Sequence, residues 1–186
     1  MKPAILILVV VAGLLFLAYV WLTGPGWEIR RTTRVNEHMN FLKDRLKANP
    51  SDREALEGMI EAMHSRDSFE RTAAIGYLGE AGSAAKPAVP AIIEALTGSD
   101  GFNARAAAIS LGQIGPAAKD AIPDLIRAIA NHPNDDVGWF SAESLGHISS
   151  TNDADVMRVL MQATNSPYKD MKYSANAGLQ ALKAGH

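Results

Sequence analysis

Residues 71–82 read RTAAIGYLGEAG, residues 104–115 ARAAAISLGQIG and residues 138–149 GWFSAESLGHIS, and residues 172–183 add a fainter copy, KYSANAGLQALK. Aligned on Leu78, Leu111, Leu145 and Leu179, the copies lie 33, 34 and 34 residues apart. A second block keeps step with the first: PAIIEAL from Pro90, PDLIRAI from Pro123 and MRVLMQA from Met157. A period of this length marks an array of two-helix units, none of which can bury its apolar face without a neighbour.

In the first helix of each unit, Ala74, Ala107 and Ser141 precede the leucine by one helical turn, so a neighbouring helix can approach a small residue while the leucine supplies bulk on the same face. Gly79, Gly112 and Gly146 follow the leucines, with Gly82 and Gly115 three residues later in the first two units, and all five are expected to stop or turn the helix. Pro90 and Pro123 suit the first turn of the second helix, where no backbone donor is needed. Ile92, Ile93 and Leu96, then Leu125, Ile126 and Ile129, give that helix one apolar face. Ahead of the array, residues 34–48 and 52–64 predict one more divergent helix pair around Asn49-Pro50-Ser51, with Ser51 or Asp52 as cap, placed to close the membrane-proximal end of the stack.

The A-x-x-x-L-G step (Ala74, Leu78, Gly79; Ala107, Leu111, Gly112) and the P-x-L-I-x-A-L step around Pro90 and Pro123 resemble short HEAT-like repeats of the kind also found in phycobilisome lyases. The likeness runs from Phe69 to about Ala184 and weakens in the third copy, where Phe140 and Ser141 replace the alanines and Met157 the proline. The resemblance implies an all-α, right-handed α-solenoid of helix pairs. Ankyrin repeats have a similar period, but no T-P-L-H occurs. Asn49-Pro50-Ser51-Asp52 looks like a tetratricopeptide junction, which leaves that origin open for the first pair alone.

Residues 4–22, AILILVVVAGLLFLAYVWL, carry no charge, and nineteen residues of helix span roughly 28 Å, the thickness of a bilayer core. Tyr19, Trp21 and Trp27 mark the edge of this run, and Thr23-Gly24-Pro25-Gly26 is expected to break it. A cleaved signal peptide has a shorter apolar stretch ending in small residues, so an uncleaved single transmembrane helix is expected. No pair of small residues four apart signals a helix dimer. Arg30, Arg31 and Arg34 outnumber Lys2, which favours a cytoplasmic domain, yet exported signal-anchored proteins begin the same way. The expected location is a bacterial cell membrane, with the side of the repeat domain left open.

Net charge is −2 at pH 7, with no basic footprint for nucleic acid. Cysteine is absent, which excludes disulfides, thiolate metal sites and a cysteine nucleophile. His38, His64, His132, His147 and His186 form no H-x-x-x-H pair, and no nucleophile elbow or phosphate loop appears. Asp135-Asp136 reads as solvated loop, and His147 as a polar turn residue equivalent to Gln113. No catalytic residue, cofactor or metal is therefore expected.

The expected organisation is an anchor and break over residues 1–26, a linker with a divergent capping pair over 27–67, and about 3.5 HEAT-like units over 68–186. The expected function is a non-enzymatic, membrane-anchored scaffold for a protein partner, an accessory subunit of a membrane complex, held to the lipid bilayer by residues 4–22. Candidate partner-binding residues are Glu94, Asp124, Arg127, Arg158 and Met161, on the second helices beside Ala91, and Trp139 and Tyr173, which share a first-helix column with Thr72 and Arg105. The resemblance also admits a chromophore-lyase-like enzyme or enzyme accessory, although the repeat itself carries no ligation chemistry.

Overall fold

The structure is a computed structural model that describes the backbone of residues 25–184 and the side chains of residues 37–184. The apolar run at residues 4–22 and His186 lie outside the described residues, as do the side chains of Arg30, Arg31 and Arg34. Within that set every regular element is helical, and no helix is long and apolar enough to cross a membrane. The chain divides into two compact units, Met1–Asn40 and Phe41–His186.

Helix α1 spans Pro25–Ala48. It begins at Pro25, ahead of the start at Arg34 that the sequence predicts. Proline is well suited to a first helical position, where its missing donor costs nothing. From Phe41 onward the helix belongs to the second unit. There Leu42 and Leu46 are buried, and Leu42 lies so close to Gly58 that a Cβ on that glycine would stand 3.0 Å from Leu42 Cδ1. Gly58 belongs to α2, Arg53–Ala62, which Asp52 caps by accepting from the Ala55 amide. Arg45 fastens the end of α1 to the start of α2, donating to Asp52 at 2.8 and 2.9 Å and to Glu54 at 2.8 Å.

The repeats follow as α3 (Ser68–Glu80), α4 (Val89–Thr97), α5 (Gly101–Ile114), α6 (Ile122–Asn131), α7 (Asp136–Ile148), α8 (Ala154–Ala163) and α9 (Lys169–Ala184). Successive first helices, α3 to α5 to α7 to α9, pack side by side, and the second helices α4, α6 and α8 form a more loosely spaced row beside them. Leu78, Leu111, Leu145, Ile92, Leu125 and Leu160 are all fully buried between the rows, so three of the four aligned leucines are core, while Leu179 in the last copy is half-buried and Leu182 is buried beside it. Pro90 and Pro123 sit in the first turns of α4 and α6, as expected.

The glycines behave differently from the sequence reading. Gly79, Gly112 and Gly146 lie inside α3, α5 and α7 and do not end them. Among the described residues only Gly82 and Gly115 have positive φ, 60° and 69°, and each opens a seven-residue 3₁₀ turn, Gly82–Ala88 or Gly115–Ala121, that leads to the proline of the next helix. The third unit has neither this glycine nor the turn, and α7 passes to α8 through Ser149 and the cap Asp153.

The three internal glycines are where the first helices meet. A Cβ on Gly79 would stand 2.8 Å from Ser110 Oγ and 2.9 Å from its Cα, and one on Gly112 would stand 2.9 Å from Ser144 Cβ and 3.1 Å from its Cα. One on Gly146 would collide with the backbone of Gly178, at 2.6 Å from its Cα. Ser110, Ser144 and Gly178 hold the same place in successive units, one residue before the leucine. Ser110 Oγ donates to the Ile75 carbonyl at 2.8 Å and Ser144 Oγ to the Ala108 carbonyl at 2.7 Å, both buried. Those carbonyls lie one turn before Gly79 and Gly112, so each hydroxyl satisfies itself on the backbone that the missing side chain exposes.

Gly146→Ala and Gly76→Ala separate packing from helix propensity. The Gly178 backbone cannot rotate away from a new methyl at 146, so that variant should lose about 2–3 kcal/mol in urea unfolding. Gly76 has nothing within 4 Å of its would-be Cβ, so alanine there should gain about 0.5–1 kcal/mol. Equal effects of the two substitutions would contradict the close approach.

Candidate interaction surface

The first helices α3, α5 and α7 each start at an aspartate. Asp67 accepts from the Phe69 amide at 2.9 Å, Asp100 from the Phe102 amide at 3.1 Å, and Asp135 from the Val137 amide at 3.0 Å. A cap of this kind satisfies amides that the helix leaves without a partner. Asp100 also joins two repeats, accepting from Ser68 Oγ at 2.8 Å and Arg71 Nη2 at 2.9 Å in the unit before and from Asn103 Nδ2 at 3.1 Å in its own. Thr72 Oγ1 meets Asn103 Oδ1 at 2.7 Å across the same seam. The hydroxyl of Ser68, the Asn103 amide and the Arg71 guanidinium hold the Asp100 carboxyl below the ordinary carboxylate range, against a weaker opposing effect of desolvation.

These caps fix where the next side chains go. Phe69 and Phe102, each two residues after its cap, are 76% and 70% exposed, and Tyr173 on α9 is 76% exposed. Trp139 and Phe140, one and two residues after Gly138 on α7, are half-buried. Along the first helices the outward positions therefore include Phe69 and Ala73, then Phe102, Ala106 and Ile109, then Trp139 and Phe140, then Tyr173 and Ala177, none of them fully buried. Arg105 stands among them, its guanidinium 6.0 Å from the Phe102 ring centroid and 3.2 Å from Asp136. Apolar side chains recurring on one exposed helix row mark a contact surface. The aromatic and arginine content is that of interface centres. The Trp139 indole nitrogen is buried without a partner among the described residues.

The seven candidate residues do not form one site. Trp139 and Tyr173 are on the first-helix row, and Glu94, Asp124, Arg127, Arg158 and Met161 are on α4, α6 and α8. Met161 is 57% exposed, and Glu94, Arg127 and Arg158 are exposed as expected. Both arginines are answered on their own helices, Arg127 by Asp124 at 2.7 Å and Arg158 by Asp155 at 2.8 Å, pairs that lower their pull on a distant charge. Asp124 and Ala91 are half-buried.

Phe69 and Phe102 were not among the candidates, although their 33-residue spacing and their place two residues after an aspartate were readable. Asp135 and Asp136 start a helix and are not a free loop: Asp135 caps α7 and meets His132 Nδ1 at 2.9 Å, and Asp136 pairs with Arg105. His147 lies in the last turn of α7. Among the described residues no group of three or more His, Cys, Asp or Glu side chains converges as a metal site would require.

Residues 89–180 match the family of HEAT repeats, a span that runs from the start of α4 into α9. This part of the chain is an array of helix pairs similar to HEAT repeats. No curated protein matches the chain.

Because the Asp100 carboxyl is depressed in the fold, its contribution is complete above the ordinary carboxylate pKa and is lost as pH falls through the depressed value. Urea midpoints taken from pH 7 down to about pH 2.5 should therefore fall below about pH 4, and Asp100→Asn should flatten part of that fall while lowering stability at pH 7. Identical pH profiles for the two proteins would show that the cap is not linked to folding.

Proposed function

We propose that this chain is a membrane-anchored scaffold whose HEAT-like stack binds a protein partner through the outward row of the first helices, as an accessory subunit of a membrane complex. The observation that carries the reading is the recurrence of exposed aromatic side chains on that row, from Phe69 and Phe102 to Tyr173. HEAT-like arrays serve widely as protein-interaction modules, and a charge-mixed surface suits a protein better than an anionic polymer. The anchor is read from residues 4–22, whose length and lack of charge fit a bilayer. A helical tether confines the stack to a thin layer at the membrane and raises its effective concentration toward partners embedded there.

Purification of the full-length protein from its native cells in mild detergent, with mass spectrometry of co-eluting chains, identifies the partner. Phe102→Ser combined with Tyr173→Ser should lower its retention by about 10- to 100-fold, the usual cost of two interface aromatics, with an unchanged melting temperature. Arg127→Glu on the second row should leave retention within about threefold, as expected of an exposed pair away from the contact. The opposite pattern would move the contact to the second helices, and retention by a chain lacking residues 1–26 equal to that of the full chain would remove the anchor from the account.

A further inference from the structure

Tyr77 occupies the place that Ser110 and Ser144 take in the following units, one residue before the leucine. In those units a short hydroxyl arm fits against the glycine of the preceding first helix. At the first unit the neighbour is α1, and the longer phenol reaches it. Lys43 Nζ stands 4.6 Å from the Tyr77 ring centroid and 3.5 Å from its hydroxyl oxygen. Beside this pair opens a recess of about 230 Å³, lined also by Leu46, Lys47, Pro50 and Glu80. None of the ion pairs among the described residues uses Lys43, Lys47 or Glu80.

We propose that this recess receives the carboxylate of an acidic side chain on the protein that the stack binds, an assignment that rests on the protein-binding reading above. Lys43 and Lys47 are one helical turn apart and line the same space, so both ammonium groups can address one anion. Two ammoniums against the Glu80 carboxylate leave one positive charge uncompensated. A singly charged carboxylate neutralises it, whereas a phosphate dianion would overshoot and face Glu80. Half-buried Lys43 is held over the tyrosine ring by its quadrupole, so it loses less freedom on binding than a free lysine. Leu46 and Pro50 supply apolar contact for the methylene groups of the acidic residue and for a neighbouring apolar side chain.

The test is an amide NMR titration of the isotope-labelled full-length protein in detergent micelles with three probes: an end-blocked Leu-Glu-Leu tripeptide, its Leu-Gln-Leu counterpart and inorganic phosphate. The glutamate peptide should give saturable shifts at Lys43, Lys47 and Tyr77 and bind about three- to fivefold more tightly than the glutamine peptide, the size expected of a partly exposed ion pair. Lys47→Gln should remove that preference without changing the melting temperature. Equal response to the two peptides, phosphate binding as tight as that of the glutamate peptide, or an undiminished preference in Lys47→Gln would each overturn the assignment. Retention of the partner from native cells by the Lys47→Gln protein at full strength would also overturn it while leaving the scaffold reading intact. Failure of the wild-type chain to retain any partner strikes the scaffold reading instead.

Discussion

The stack depends on how closely its first helices can approach one another. Gly79, Gly112 and Gly146 remove the side chain at the crossing, and Ser110, Ser144 and Gly178 fill the space from the next helix with the smallest groups available. The approach brings a buried hydroxyl within hydrogen-bonding distance of a helical carbonyl at two successive seams. An unpaired hydroxyl in that place would cost about 1–3 kcal/mol, so the bond and the close approach require each other. Contact, hydrogen bond and core leucine all occur within three consecutive positions of the second and third repeats, Ser110 to Gly112 and Ser144 to Gly146.

From this constraint the surface follows. Aspartates cap the first helices α3, α5 and α7, and the cap at Asp100 joins side chains from two units. The residues just beyond the caps are then held outward, which presents Phe69 and Phe102 at matching places. At the first seam the series meets α1, Tyr77 replaces serine, and the recess beside Lys43 results. The second helices, more loosely spaced and carrying self-paired arginines, offer a weaker surface.

The period, the two-helix unit, the core leucines and the proline starts of α4 and α6 were legible because each rests on local spacing. The role of Gly79, Gly112 and Gly146 was not, since a glycine near the end of an apolar segment reads equally as a stop or as a crossing point. Only the partner helix decides between them, and that partner is a repeat away. Even so, the serine two residues before Gly112 and Gly146 was a visible clue, as a small polar residue recurring at a core position needs a buried acceptor. The start of α1 was missed because Pro25 after Gly24 has the look of a terminator, although proline opens helices as readily as it ends them. Of the candidate contact residues, Tyr173 and Trp139 were legible from their aromatic type and their shared first-helix column. Phe69 and Phe102 lie just outside the aligned blocks, which begin at Arg71 and Ala104.

The central claim is that Gly112 is glycine because Ser144 lies against it. A double-mutant cycle in urea unfolding with Gly112→Ala, Ser144→Gly and the pair tests this directly. Coupling of about 1–2 kcal/mol, with Gly112→Ala much less damaging once Ser144 is glycine, is the predicted result. Additive costs, with no relief in the double variant, would contradict the account.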